Sequence, residues 1–219
     1  MSPRRPDPAV AVRLLEVAAR LLAVEGPAAV SARRVATEAG ASTMAVYTHF
    51  GSMDELLAAV RREGFRRFGL ELERPALTGD PVADVMAQGW AYRHFALTER
   101  HLYDVMFRAR PPGVVEHQDD AESSMATFLS LVRRIERCGE VGPWLVADAV
   151  SAAEVVWSAA HGHCTIELSG YHAGVGRDPV ASYGRCLLHL AIGFGQDPAA
   201  AAKALTRSRT RARRSGQLD

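Results

Sequence analysis

Four times in this 219-residue chain an aspartate stands directly before a proline: at positions 7–8, 80–81, 178–179 and 197–198. An N-cap aspartate accepts from an orphan amide of the first helical turn. Proline at the next position presets φ and gives up an N–H that has no helical partner there. Each pair precedes a helix-like pattern, and Gly142-Pro143 marks another such start. Alternating β-branched runs bounded by hairpin turns are absent, so the chain is predicted to be all-α.

The first helix spans about Pro8 to Glu25, with Val12, Leu15, Ala19 and Leu22 on one stripe, and stops at Gly26-Pro27. A second runs from the N-cap Ser31 to Gly40, and a third from near Ser42 to Phe50. Ser52 to Glu55 is a capping box that opens a fourth, reaching about Leu72 with a basic face of Arg61, Arg62, Arg66 and Arg67. "ERPALTGD" (73–80) separates two parts. Further helices are predicted at about 81–98, 101–108, 116–138, 143–169 and 179–195, about nine in all. "RARPPGVVEH" (108–117) reads as a loop and "SGYHAGVGRD" (169–178) as a glycine-rich turn. Past Arg207 the Arg/Ser/Thr composition reads as a disordered basic tail, 207–219.

The net charge of +1 is unevenly placed. Residues 1–70 hold ten arginines and seven acids, and residues 203–214 hold six basic residues and no acid, which leaves the remainder near −8. A basic front beside an acidic middle fits one region facing a polyanion. Cys138, Cys164 and Cys186 form no CxxC pair, which agrees with a reducing compartment. With no apolar segment behind Arg4 and Arg5 to make a signal, the expected location is cytoplasmic.

Residues 31–50, "SARRVATEAG" then "ASTMAVYTHF", read as helix, tight turn, helix. Val35, Ala36 and Ala39 can face Val46 and Phe50, with Gly40 in the left-handed turn position. In a helix-turn-helix the second helix enters the major groove, which suits the small and polar residues between Thr43 and His49.

"GPAAVSARRVATEAGASTMAVYTHFGSMDELLAAV" resembles the N-terminal DNA-binding domain of the TetR family of regulators. The likeness covers residues 9–60: a capped second helix, an Ala-Gly turn, a Tyr-x-His-Phe end and a Ser-x-Asp-Glu-Leu start. "WAYRHFALTERHLYDVMF" and, further on, "EVVWSAAHGHCTIELSG" are similar to family C-terminal domains of the WHG type, with Trp157, His161 and Gly162 as its letters. The resemblance implies a flexible arm (1–8), a helix-turn-helix head (9–60) and a ligand-binding and dimerisation body (61–206). It implies DNA contact by Arg33 and by Thr43, Met44, Tyr47 and Thr48, phosphate contact by Ser31, Tyr47 and His49, and close approach at Ala45. Position 53, usually lysine in the family, is methionine here.

The same resemblance implies a repressor that binds a palindromic operator as a homodimer, assembled through the helices at about 143–169 and 179–195. Ala152, Ala153, Ala159, Ala160, Gly184, Gly193 and Gly195 are then candidates for close helix approach, and Val156, Leu187, Leu188 and Ile192 for burial. A small, largely apolar effector would enter a pocket in the body lined by Trp90, His94, Tyr103, Met106, Phe107, Phe128, Trp157 and His161. No cofactor or metal is implied, and no nucleophile–base constellation or phosphate loop points to an enzyme. Two alternatives stand beside this reading. One is a helical metalloenzyme using His161 and Cys164 of "HGHC", although residues 161 and 163 point about 200° apart on a helix. The other is a dimeric protein-binding module that has lost DNA binding.

Overall fold

The computed structural model describes residues 7–107 and 118–218, and among these all regular structure is helical. The helices are α1 Pro8–Glu25, α2 Ala32–Glu38, α3 Thr43–Phe50, α4 Met53–Glu73, α5 Pro81–Thr98, α6 Arg100–Phe107, α7 Gln118–Glu140, α8 Ala149–Leu168, α9 Tyr171–Gly174, α10 Pro179–Gly193 and α11 Pro198–Arg214. The predicted loop at 108–117 and most of the predicted N-terminal arm lie outside the described residues. All four Asp-Pro pairs act as read: Asp7, Asp80, Asp178 and Asp197 accept from the amides of Ala9, Ala83, Val180 and Ala200 at 2.9–3.1 Å.

The chain divides into two compact units, residues 1–67 with 99–124, and residues 68–98 with 125–219. In the first, α1 packs on α2, α3 and α6 and buries Leu14, Ala18, Leu21 and Leu22 against Val35, Ala36 and Val46. The α2–α3 turn closes with Ala41 N donating to Ala36 O at 2.9 Å, Gly40 N donating to Thr37 O at 3.2 Å, and Gly40 at φ +63°. That is a helix stop built on left-handed glycine. Gly64 lets α4 lie against α6, because a Cβ there would sit 2.6 Å from Met106 Cγ.

In the second unit α5 is the central helix, packed by α8, α10 and α11. Its buried residues surround the axis, from Val82 and Val85 to Trp90, Tyr92, Phe95 and Ala96. A helix enclosed on all sides has no need of a polar face. Asp84 is nevertheless fully buried there. Its carboxylate accepts from Thr78 N (2.7 Å), Thr78 Oγ1 (2.8 Å), Arg137 Nη1 (3.2 Å) and Arg211 Nη1 (2.7 Å). Burial pushes its pKa up. The Thr78 amide and the Arg211, Thr78 and Arg137 side chains outweigh that and hold it below the usual carboxylate range.

Three sequence expectations change. The tail beyond Arg207 is not a disordered basic segment: α11 is continuous to Arg214 and Leu218 is buried. Ala201, Ala204, Ser208 and Ala212 form a narrow buried stripe, while Arg207 pairs with Asp80 and Arg211 with Asp84. Helix α8 starts at Ala149 rather than 143, because Trp144 stacks on Phe194 at 4.8 Å and Leu145 N donates to Phe194 O at 2.8 Å. Those contacts hold the segment out of a helix until Asp148 caps Val150 N. With α9 and α11, eleven α-helices stand among the described residues where about nine were expected.

Asp84→Ala should be among the costliest single substitutions, because it leaves two guanidiniums facing a buried gap. A loss of roughly 3–5 kcal/mol is expected from urea unfolding, against at most about 1 kcal/mol for the exposed Arg213→Ala. Equal losses from the two would remove Asp84 from its structural role.

Candidate nucleic-acid interface and effector site

Helix α3 is two turns long and is held to its frame by one fully buried side chain, Val46. Ser42 caps it, Oγ accepting from Ala45 N at 3.2 Å. Thr43, Met44, Tyr47 and Thr48 are exposed, Met44 by 71% and Tyr47 by 46%. Ala45, His49 and Phe50 are half-buried, with the His49 and Phe50 rings 6.2 Å apart. Ser31 is exposed but its Oγ already accepts from Arg34 N at 3.3 Å, so its hydroxyl serves first as the α2 cap.

Electrostatics then separate one arginine from its neighbours. Arg34 is bound to Glu25 (2.6 and 2.8 Å) and to Glu38 (3.0 Å), and Arg20 is also bound to Glu38. Arg13 donates to Ala39 O. The predicted basic face of α4 is likewise engaged. Arg66 and Arg67 share Glu63, which they hold at about 2, below the usual carboxylate range, against the opposing effect of burial. Arg62 lies 3.9 Å from Glu55, and Arg61 donates to Val105 O. Among the described residues no carboxylate pairs with Arg33, which is exposed on α2. The first turn of α4 carries Asp54 and Glu55 behind Met53, so its helix dipole already faces negative charge.

The predicted effector residues fall into separate sets. Tyr103, Met106 and Phe107 belong to the first unit, where Phe107 meets Phe65 at 5.8 Å and Tyr103 at 4.9 Å. In the second unit Trp157 lies 6.4 Å from Phe128 and 5.8 Å from His161, and His161 Nδ1 is hydrogen-bonded to the Tyr92 hydroxyl at 3.0 Å. Trp90 turns elsewhere on α5: its indole N–H donates to Ser208 Oγ at 3.2 Å and its ring meets Tyr183 edge-on at 5.2 Å. It is a packing residue for α10 and α11. His94 is half-buried, and its carbonyl accepts from Thr98.

Sequence reasoning missed the polar core of this unit. Arg93 grips Glu167 through one guanidinium edge, Nε donating to Oε2 at 2.8 Å and Nη2 to Oε1, with the two side chains only 6% and 10% exposed. His163 Nε2 lies 3.7 Å from Glu167 Oε2, and its ring is 4.9 Å from His172. The signal available was one arginine on an otherwise enclosed α5 and one acid a helical turn past His163. Burial pushes the His161 pKa down, and the same effect outweighs Glu167 at His163. Cys164 is fully buried and its thiol is pushed up to about 12 by burial. Among the described residues no group of three or more His, Cys, Asp or Glu is arranged to hold a metal ion.

Residues 14–60 match the family model described as bacterial regulatory proteins, tetR family, and residues 85–190 match that described as tetracyclin repressor-like, C-terminal domain. No curated protein sequence matches significantly. A protein of unknown function from Rhodococcus sp. RHA1 is similar at 27% identity and TM-score 0.75, over 90% of this chain and 100% of that one. A tetR-family regulatory protein from Rhodococcus RHA1 shares the fold at 20% identity and TM-score 0.71, over 86% and 98%. So does the regulator FadR from Bacillus subtilis in complex with stearoyl-CoA, at 15% and 0.64, over 82% and 96%.

The two histidines give a pH dependence with a definite sign. Unfolded histidine takes a proton near pH 6.5 while the folded imidazoles resist, so their stabilisation is complete above about pH 6.5 and is lost on acidification. The urea midpoint should fall between pH 7.5 and pH 5.5, and His161→Gln with His163→Gln should flatten that slope. An unchanged slope in the double variant would assign the effect to other groups.

Proposed function

Since the chain belongs to the TetR family of bacterial regulatory proteins, we propose that it is a ligand-responsive DNA-binding regulator. The form favoured is a repressor that binds a palindromic operator as a homodimer and is released by a small, largely apolar effector. One observation carries this reading. Helix α3 turns Thr43, Met44, Tyr47 and Thr48 outward, and on the neighbouring α2 stands Arg33, an exposed arginine to which no carboxylate is paired among the described residues. The hydroxyls of Tyr47 and Thr48 suit phosphate or base edges, and a free guanidinium suits guanine. The effector half rests on the aromatic set around Trp157 and His161, and on the acyl-CoA held by FadR, which shares the fold.

For the homodimer, the sequence assignment of interface residues changes. Ala152, Ala153, Val156, Ala160, Gly184 and Leu187 are buried inside the protomer and leave nothing for a partner. The outward stripe of α8 is instead Val155, Ala159, Gly162 and Ile166, and Leu188 and Ile192 are half-exposed on α10. A Cβ on Gly162 would meet no atom within 4 Å, so that position is open to a second helix. A two-fold pairing of these faces sets two recognition helices for half-sites about one DNA turn, roughly 34–36 Å, apart.

Footprinting after selection from genomic fragments should reveal a palindrome whose binding weakens only modestly as salt is raised. Arg33→Ala is expected to weaken that binding by about 1–3 kcal/mol and to relax the preference at one base pair in each half-site. Retention of full affinity and selectivity by Arg33→Ala would defeat the interface assignment. For the dimer, Val155→Glu with Ile166→Glu should shift sedimentation toward the 23.7 kDa protomer, with helical circular dichroism retained. A double variant that still sediments as a dimer would place the interface elsewhere.

A further inference from the structure

The outward side chains of α3 define not only that DNA is touched but which bases they can recognise. Thr43, Met44, Tyr47 and Thr48 supply three hydroxyls and one thioether. None is a guanidinium, an amide or a carboxylate. Adenine is read bidentately by Asn or Gln, guanine by Arg or Lys, and cytosine by an acid. Thymine alone among the bases presents a methyl group, which apolar side chains recognise. Met44 is 71% exposed, against 46% for Tyr47. Met44 and Thr48 are four residues apart, hence on one face of the helix, about 6 Å along its axis. That span is comparable with two base-pair steps of ~3.4 Å. Thr48 adds a stiff β-branched methyl to the same line. On α2, the exposed Arg33 pairs with no carboxylate among the described residues, while Arg20 and Arg34 are held by Glu25 and Glu38.

We propose that the operator half-site is read chiefly through thymine 5-methyl groups. Met44 and Thr48 contact thymines in a short A·T run, and Arg33 fixes a single flanking G·C pair. The proposal rests on the DNA-binding function given above and specifies the base chemistry of its partner. It makes the recognition helix a reader of methyl groups, with hydroxyls for backbone and edge contacts.

Selection of bound duplexes from a random library by the full chain supplies the site. Each thymine of the half-site is then replaced in turn by deoxyuridine, which removes one methyl and leaves base pairing intact. Burial of one methyl predicts about a fourfold loss of affinity at each thymine under Met44 and Thr48. Met44→Ala should abolish the deoxyuridine sensitivity at its own thymine and leave that under Thr48 in place. Its site is exposed, so the fold is expected to tolerate the change. Placing 5-methylcytosine, paired with guanine, at Met44's thymine position should restore part of the affinity that unmethylated cytosine loses there. Selected duplexes bound equally well with thymine and deoxyuridine, or a Met44→Ala chain with undiminished sensitivity, would overturn methyl readout while the regulator reading stands. Enrichment of no sequence at all would overturn both.

Discussion

A single carboxylate with no exposed surface holds the second unit together. Asp84 sits on the central helix and bonds to three other stretches of chain: Thr78 of the α4–α5 connector, Arg137 of α7 and Arg211 of α11. An isolated buried carboxylate would cost several kcal/mol, so its four donors must all be in place for α5 to be enclosed at all. Arg137 and further side chains also fix the connector. Arg137 also donates to Thr78 O and Arg134 to Pro75 O, while Arg74 bonds back to Ser215 O and Gln217 to Glu71. The segment that follows α4, rich in Pro, Gly and Thr, therefore has a defined course imposed by side chains from distant sequence.

The first unit uses charge in the opposite way. The ten arginines of residues 1–70 suggest a broad basic face, yet most of those described are matched by Glu16, Glu25, Glu38, Glu55, Glu63 or Glu99 or by backbone carbonyls. Exposed pairs of this kind add little stability. Their consequence is subtraction: they flatten the positive potential until Arg33 stands out beside α3. A net charge counted along the sequence cannot show this, because pairing depends on which side chains share a helix face or a turn.

Local signals in the sequence were legible where the physics is local. The Asp-Pro caps, the Ser42 cap, the left-handed Gly40 and the inward Val46 follow from rules acting within a few residues, and each appears as read. Helix α11 was missed even though Asp197-Pro198 carries the same start signal as the other three pairs. Its buried stripe is made of Ala201, Ala204, Ser208 and Ala212, too small to register as an apolar face, and the acids that receive Arg207 and Arg211 lie 127 residues earlier. Ala152, Ala153, Val156, Ala160, Gly184 and Leu187, proposed for the dimer, pack inside the protomer for a related reason. Small residues on α8 and α10 signal close packing, but periodicity does not say whether the neighbour belongs to the same chain. Arg93 and Glu167 were invisible because a buried ion pair looks, in sequence, like two ordinary surface charges.

The shortness of α3 now has a physical account under the proposed function. Two turns anchored by one valine supply little stability, so the helix depends on its caps and on the α1–α2 frame for its position. A reader so lightly charged draws little affinity from counterion release, which normally supplies most non-specific binding. Weak non-specific binding is an advantage when the target competes with a genome of other sites, because selectivity is a ratio. Dimerisation then restores affinity at the palindrome alone, by presenting a second weak reader at the matching spacing. A methionine near the start of such a helix adds contact area without a charge that would also bind DNA indiscriminately. On this argument the neutralised arginines and the uncharged recognition helix are one device, which lowers attraction to DNA in general so that a few base contacts decide where the protein binds.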